Sequence, residues 1–116
     1  MRALLSAILV SAIAGMPAMA QPARTVEVGL SEWEISMPAS LPAGRTTLVV
    51  TNTGGRAHNI AIEREGTGKA QRFGETIAPG AQAAMTLDLV PGTYRVFCPV
   101  FGHAPLGMDR SITVTP

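Results

Sequence analysis

Short runs of alternating apolar and polar residues, separated by glycine and proline, are the feature that most limits how this chain folds. A period of two is typical of strands that bury one face, and no helical period competes with it after residue 20. The pattern therefore predicts an all-β sandwich of about seven to eight antiparallel strands. The predicted strands are 25–30, 46–52, 58–64, 83–89, 93–98 and 111–115, with 31–37 as an extension or a short strand of its own. Residues 41–44 are predicted to form a turn and residues 65–75 a surface loop.

The first twenty residues have the pattern of a cleaved signal peptide. A positive start at Met1-Arg2 precedes an apolar run over 3–15 and the small-residue motif Ala18-Met19-Ala20. We therefore predict a signal peptide at 1–20, export to the periplasm, and one domain over 21–116. The alternative is an uncleaved anchor, although the apolar run is short for a membrane span.

Charge and cysteine content narrow the functional classes further. Without Arg2, the predicted domain keeps eight of the nine basic residues and all eight acidic residues, so its formal net charge is zero. No basic stripe is present, which argues against nucleic acid or an anionic membrane as a partner. The single cysteine of an exported protein must pair between chains, remain free or bind a metal.

Four potential metal donors stand out. Cys98, His103 and Met108 follow the spacing Cys-x4-His-x4-Met, and the only other histidine is His58. Each residue alone has an ordinary structural interpretation as core filler or surface. Together, one thiolate, two imidazoles and one thioether are the ligand set of a blue-copper (type 1) site. The alternation places His58 and Cys98 at inward positions at strand ends, and the other two donors lie on the loop before the last strand.

The segment Pro91-Gly-x-Tyr94-x-x-Phe97-Cys98-x4-His103-x3-Gly107-Met108, with Asn52…His58-Asn59 upstream, resembles the cupredoxin family of small blue copper proteins. This resemblance covers nearly all of 21–116 and implies a Greek-key β-sandwich that binds one copper ion. It implies that His58, Cys98 and His103 are ligands and that Met108 is the weak axial ligand. It also implies that the backbone N–H groups of Asn59 and Val100 donate hydrogen bonds to the cysteine sulfur. Asp109 stands where many relatives have glycine, and we expect its carboxylate to be solvated.

The resemblance further implies an electron carrier and not an enzyme. Redox partner proteins would dock transiently near His103, on an apolar patch around it, and the mature protein would be a monomer without a membrane anchor. The predicted patch comprises Pro99, Val100, Ala104, Pro105 and Leu106. The alternative function is a periplasmic copper chaperone, because the same donors serve both tasks. A copper enzyme would need further histidines, and a zinc site would leave Met108 without a role.

Overall fold

The computed structural model describes residues 22–116, which form two β-sheets with a shared apolar core. The predicted signal peptide at 1–20 lies outside the described residues. One 3-10 turn, Ala104–Leu106, is the only helical element in the described part of the chain. The β-sandwich prediction is confirmed, with slightly more strands than expected. The nine strands are β1 Arg24–Ser31, β2 Glu34–Ser36, β3 Ser40–Pro42, β4 Gly44–Asn52, β5 Ala61–Arg64, β6 Ala70–Arg72, β7 Gln82–Leu89, β8 Gly92–Phe97 and β9 Asp109–Thr115.

The first sheet has four strands in the order β2-β1-β4-β7. Strand β4 is central and pairs antiparallel with β7 but parallel with β1. Its inward residues are Thr46, Leu48, Val50 and Asn52, which alternate with partly exposed neighbours. This is the period of two that the sequence shows, because successive side chains on a strand point to opposite faces.

The second sheet has five strands in the order β3-β9-β8-β5-β6 and carries the part of the fold that matters most for function. Strands β5 and β8 pair antiparallel, with Ala61 opposite Phe97. The first residue of β5 and the last residue of β8 therefore lie next to each other, at the same end of these two strands. Residues just before Ala61 and just after Phe97 meet there.

The predictions for two segments, and the predicted orientation of two strand pairs, were wrong. The segment predicted as a turn contains part of β3, and the segment predicted as a loop contains β6, whose three residues are all exposed. Both are edge strands held by backbone pairing to a neighbour. Strand β6 has no apolar alternation, and the three residues of β3 include a single buried one, Leu41, which is too short a pattern to predict a strand. Two pairings, β1 with β4 and β3 with β9, are parallel where antiparallel strands were expected.

The core between the sheets is built from the residues that the alternation places inward. It includes Val28 and Leu30 of β1, Val96 of β8, and Ile112 and Val114 of β9, each at most 2% exposed. Full burial of one such side chain contributes roughly 1.5–3 kcal/mol to folding. No helix within residues 22–116 has the length and apolar character needed to cross a membrane.

We expect Leu48→Ala to lower the free energy of unfolding of the copper-free protein by about 2–5 kcal/mol, because it leaves a cavity in the fully buried centre of the first sheet. Chemical denaturation followed by tryptophan fluorescence measures this change. Val90→Ala is the control, since Val90 lies in the exposed turn between β7 and β8 and should change stability by less than about 0.5 kcal/mol. Equal effects of the two substitutions would contradict this description of the core.

Candidate metal centre

Cys98 and His58 meet because of the pairing of β5 with β8. Cys98 follows the last residue of β8 directly, and His58 stands three residues before β5. The prediction that His58 begins a strand was wrong, because β5 starts only at Ala61. His58 is held instead by an isolated antiparallel bridge to Ile77, with N···O distances of 3.1 and 2.7 Å. Both side chains are nevertheless buried at the same edge of the sheet.

The loop from Cys98 to Met108 folds back on itself and brings in the other two predicted ligands. The Val100 carbonyl accepts a hydrogen bond from His103 N (3.0 Å), and the His103 carbonyl accepts one from Met108 N (3.3 Å). The loop closes where Cys98 N donates to the Met108 carbonyl at 2.9 Å. Met108 is fully buried, and its side chain belongs to the same apolar core as that of Cys98.

Gly107 is required for this loop to close. Its φ of +134° is a conformation that residues with side chains rarely adopt. A Cβ at this position would also lie 2.6 Å from the carbonyl oxygen of Trp33. The glycine therefore permits both the turn into Met108 and close contact with the segment after β1.

Three donor atoms converge in the space between these segments. The Nδ1 atoms of His58 and His103 are 3.1 Å apart, and Cys98 Sγ lies 3.5 Å from His103 Nδ1. All three donors lie within 4.8 Å of one another. Two nitrogens that each bind a divalent ion at about 2.0–2.1 Å, with a nitrogen–metal–nitrogen angle of roughly 100–120°, are about 3.1–3.6 Å apart. The observed spacing thus fits one metal ion, and the mixture of soft sulfur and imidazole donors fits copper.

Of the two predicted backbone donors to the cysteine sulfur, the structure places one within reach. Asn59 N donates to Cys98 Sγ at 3.5 Å. The Asn59 side chain holds this segment in place by donating to the Phe73 carbonyl at 3.0 Å and accepting from Ile60 N at 2.7 Å. Among residues 22–116, no hydrogen bond joins Val100 N to the sulfur. The observed contribution of Val100 is the carbonyl that anchors His103.

Asn52 organises the turn that precedes His58. Its buried side chain donates to the carbonyls of Arg56 (2.7 Å) and Ile77 (2.8 Å), and its Oδ1 accepts from Gly54 N (2.9 Å). Ile77 is also the bridge partner of His58. One amide side chain therefore links the end of β4, the turn and the segment that holds a candidate ligand.

Two residues of the site, Glu32 and Trp33, were not predicted from the sequence. Glu32 Oε1 lies 3.1 Å from His58 Nε2, on the side of the ring away from the other donors. The Trp33 ring packs edge to face against His103, with centroids 5.0 Å apart, and against His58 at 6.4 Å. No local pattern identifies either residue as part of a site, because the alternation explains both as parts of a strand. Glu32 lies 26 positions from His58 in the sequence, and Trp33 lies 70 positions from His103.

The ionisation of these groups favours metal binding. Burial lowers the pKa of His103 below its ordinary value, and the neighbouring His58 imidazole and Arg56 guanidinium act in the same direction. His103 is therefore neutral at neutral pH and has a lone pair to offer. Partial burial raises the pKa of Glu32, but hydrogen bonds from Gly55, Arg56 and His58 outweigh this, so the pKa lies below the ordinary carboxyl value.

The Asp109 carboxylate lies at the surface, with 38% of the side chain exposed, and it is paired there. It makes a two-pronged ion pair with Arg95, with N···O distances of 3.0 and 2.7 Å. Arg95 in turn lies over the Phe97 ring, 4.0 Å from its centroid. The pair is partly exposed on the surface of β8 and β9, and its charges compensate each other beside the candidate ligand Met108.

Comparisons with known proteins agree with this geometry. A model of the plastocyanin/azurin family of copper-binding proteins matches residues 36–115. Reduced auracyanin from the photosynthetic bacterium Roseiflexus castenholzii is 20% identical, with a TM-score of 0.69 over 81% of this chain and 98% of that chain. Auracyanin B is 25% identical, with a TM-score of 0.69 over 82% and 91%. Reduced rusticyanin is 22% identical, with a TM-score of 0.59 over 79% and 80%.

Two further comparisons limit what the fold alone implies. A multicopper oxidase shares the fold at a TM-score of 0.55 and 19% identity, over 79% of this chain but only 41% of its own. Comparison with curated protein sequences finds no match. The fold by itself therefore does not separate a carrier from a domain of an enzyme, and the donor set must do so.

We expect Asn52→Ala to lower the free energy of unfolding of the copper-free protein by about 1–3 kcal/mol, because it removes a buried donor that two carbonyls share. Gln82→Ala is the matched control, since that amide makes one exposed hydrogen bond to Thr51 (2.9 Å) and its loss should cost less than about 0.5 kcal/mol. Urea denaturation of both variants gives the comparison. A loss of stability no larger for Asn52→Ala than for the control would show that this amide does not hold the turn.

Proposed function

The chain belongs to the plastocyanin/azurin family of copper-binding proteins, and from that premise we propose that it is an exported electron-transfer protein. Copper bound in the site would supply the one-electron Cu(II)/Cu(I) couple. The observation that carries the proposal is the convergence of Cys98 Sγ with the Nδ1 atoms of His58 and His103. In this proposal Cys98 binds as thiolate, the histidines bind through Nδ1, and Met108 provides the weak axial sulfur.

The burial of the donors supports electron transfer more than copper delivery. Cys98, His58 and Met108 are at most 1% exposed, and His103 is 9% exposed. A protein that hands over its metal must let a partner's ligands reach it, whereas an electron carrier must hold one geometry through both oxidation states. The hydrogen bonds from Cys98 N to Met108 O and from Asn59 N to Sγ favour the second task, since they restrain the ligands from inside the fold.

The donor count supports a carrier over an enzyme. Within residues 22–116, the one group of histidine, cysteine and acidic side chains spaced to hold a metal is the cluster at His58, Cys98 and His103. Both histidines of the chain are thereby used. A catalytic copper centre needs an open coordination position and further histidines to hold it.

We place the exit for electrons at His103, because it is the one imidazole in the cluster with any exposed surface. Two exposed apolar side chains lie near it on the ligand loop: Phe101, which is fully exposed, and Leu106, which is 57% exposed. Leu106 belongs to the apolar patch predicted from the sequence, whereas Phe101 was not predicted to be part of it. Transient electron-transfer complexes use small interfaces, and two apolar side chains around an exposed ring edge suit brief docking of a redox protein.

Export to the periplasm is part of the proposal and is supported by the sequence. The pattern at 1–20 is that of a cleaved leader. The single cysteine is buried beside two imidazoles, so an exported chain would have a use for it other than a disulfide.

The oxidised protein loaded with copper should absorb strongly in the visible region, through charge transfer from the Cys98 sulfur, and should lose the band on adding a reductant. Cys98→Ser should abolish the band even where some copper remains bound. Met85→Leu is the control, because it removes a sulfur from β7 and not from the donor cluster. An intensely coloured Cys98→Ser variant would refute the ligand assignment.

We expect Phe101→Ser to slow electron exchange with a redox partner several-fold while leaving the visible spectrum unchanged, because the side chain is exposed and makes no part of the donor cluster. Stopped-flow reduction by a partner protein measures the rate. Val90→Ser is the matched control: it also removes an exposed apolar side chain, beyond the opposite end of β8, a strand of six residues that is about 17 Å long. Equal rates for both variants would place the docking surface elsewhere.

A further inference from the structure

The carboxylate of Glu32 contacts the one ring nitrogen of His58 that does not face the donor cluster. Glu32 Oε1 is 3.1 Å from His58 Nε2, while Nδ1 of the same ring faces His103. An ionised carboxylate only accepts hydrogen bonds, so Nε2 must carry a proton. In the neutral ring, Nδ1 is then left with a lone pair directed into the cluster.

The backbone of the turn before His58 holds the carboxylate in position. Arg56 N donates to Oε1 at 2.8 Å and Gly55 N donates to Oε2 at 3.1 Å, so each oxygen has a backbone partner. Gly54 leaves the space that the carboxylate occupies, because a Cβ there would lie 2.5 and 2.7 Å from the two oxygens. The side chain is only 28% exposed. Three hydrogen-bonding contacts therefore position this carboxylate beside His58 at the surface of the site.

The same logic extends to the second histidine. The two Nδ1 atoms are 3.1 Å apart, a hydrogen-bond distance, and His58 Nδ1 can only accept once its proton is on Nε2. In the metal-free protein, His103 must therefore donate from its own Nδ1. One carboxylate thus determines the tautomers of both rings.

We propose that Glu32 is the positioning residue of the copper site, which orients His58 as an Nδ1 ligand and favours Cu(II) over Cu(I). This inference rests on the proposed function. A carboxylate that accepts a hydrogen bond from a ligating imidazole raises the basicity of the ligand. Its negative charge, close to the centre, stabilises the more highly charged ion. The protein with Glu32 therefore has a lower reduction potential than the same site without it.

Two pairs of variants separate position from charge. Glu32→Gln removes the charge, and Glu34→Gln is its control, because Glu34 is exposed on β2 and makes no side-chain hydrogen bond within residues 22–116. Gly54→Ala keeps the charge but displaces the carboxylate, and Gly74→Ala is its control, since a Cβ at position 74 has no atom within 4 Å and Gly74 makes no hydrogen bond to Glu32. The second pair leaves Glu32 itself unchanged, so it remains informative if Glu32→Gln fails to fold.

The first experiment uses the copper-free protein. Side-chain ¹⁵N NMR at about pH 8, where free imidazoles are neutral, should show His58 protonated on Nε2 and His103 on Nδ1. Gly54→Ala displaces the acceptor and should change this tautomer pattern, whereas Glu32→Gln keeps an acceptor oxygen and should preserve it, as should the two control variants. A wild-type His58 protonated on Nδ1, or a pattern unchanged in Gly54→Ala, would overturn the inference. A role in folding alone would lower stability without moving the tautomers.

The second experiment uses the copper-loaded protein. Loss of the Glu32 contact should weaken Cu(II) binding about tenfold more than Cu(I) binding, which raises the one-electron potential by about 59 mV. Voltammetry of the four variants measures this shift, which the controls should lack. Potentials that stay the same or fall in Glu32→Gln and Gly54→Ala would overturn the inference. Failure of the wild type to bind copper would instead refute the proposed function, while the tautomers of the copper-free protein would still show whether Glu32 orients His58.

Discussion

The antiparallel pairing of β5 with β8 is the constraint on which the rest of the site depends. It brings the chain before Ala61 and the chain after Phe97 to one edge of the sheet, although 36 positions separate those two residues. His58 and Cys98 are carried there by that pairing, and the Cys98 N–H to Met108 carbonyl bond then closes the ligand loop. The backbone pairing therefore fixes where the donor-bearing segments lie.

The donor side chains of the site are buried, and the buried polar atoms around them all make hydrogen bonds. Within residues 22–116 no buried side-chain nitrogen or oxygen lacks a hydrogen-bond partner. This matters because an unpaired polar group in the interior costs about 1–3 kcal/mol, a large share of the stability of a small domain. Asn52, Asn59 and Glu32 supply many of these partners around the ligands. The same hydrogen bonds that stabilise this end of the sandwich therefore also orient the donors.

Local pattern predicted the long strands well and the short ones poorly. The inward residues of β1, β4, β8 and β9 follow the alternation, because a strand in a two-layer sandwich buries one face continuously. Strands β3 and β6 were not predicted, because β3 has only three residues with one buried among them and β6 is an edge strand with no buried residue. His58 lies outside β5 for a related reason: its bridge partner Ile77 belongs to a distant loop that no local pattern reveals.

The sequence by itself determined the sandwich architecture and the identity of four candidate donors, because the strand period and the ligand chemistry follow directly from residue type and spacing. Only the tertiary structure decided which nitrogen of each histidine faces the cluster, the contact of Glu32 with His58, the packing of Trp33 on both rings and the pairing of Asp109 with Arg95. Each of these features depends on the relative positions, in the folded protein, of segments that are far apart in the sequence. That placement is set by strand pairing and close packing over the whole fold, which no short stretch of sequence encodes.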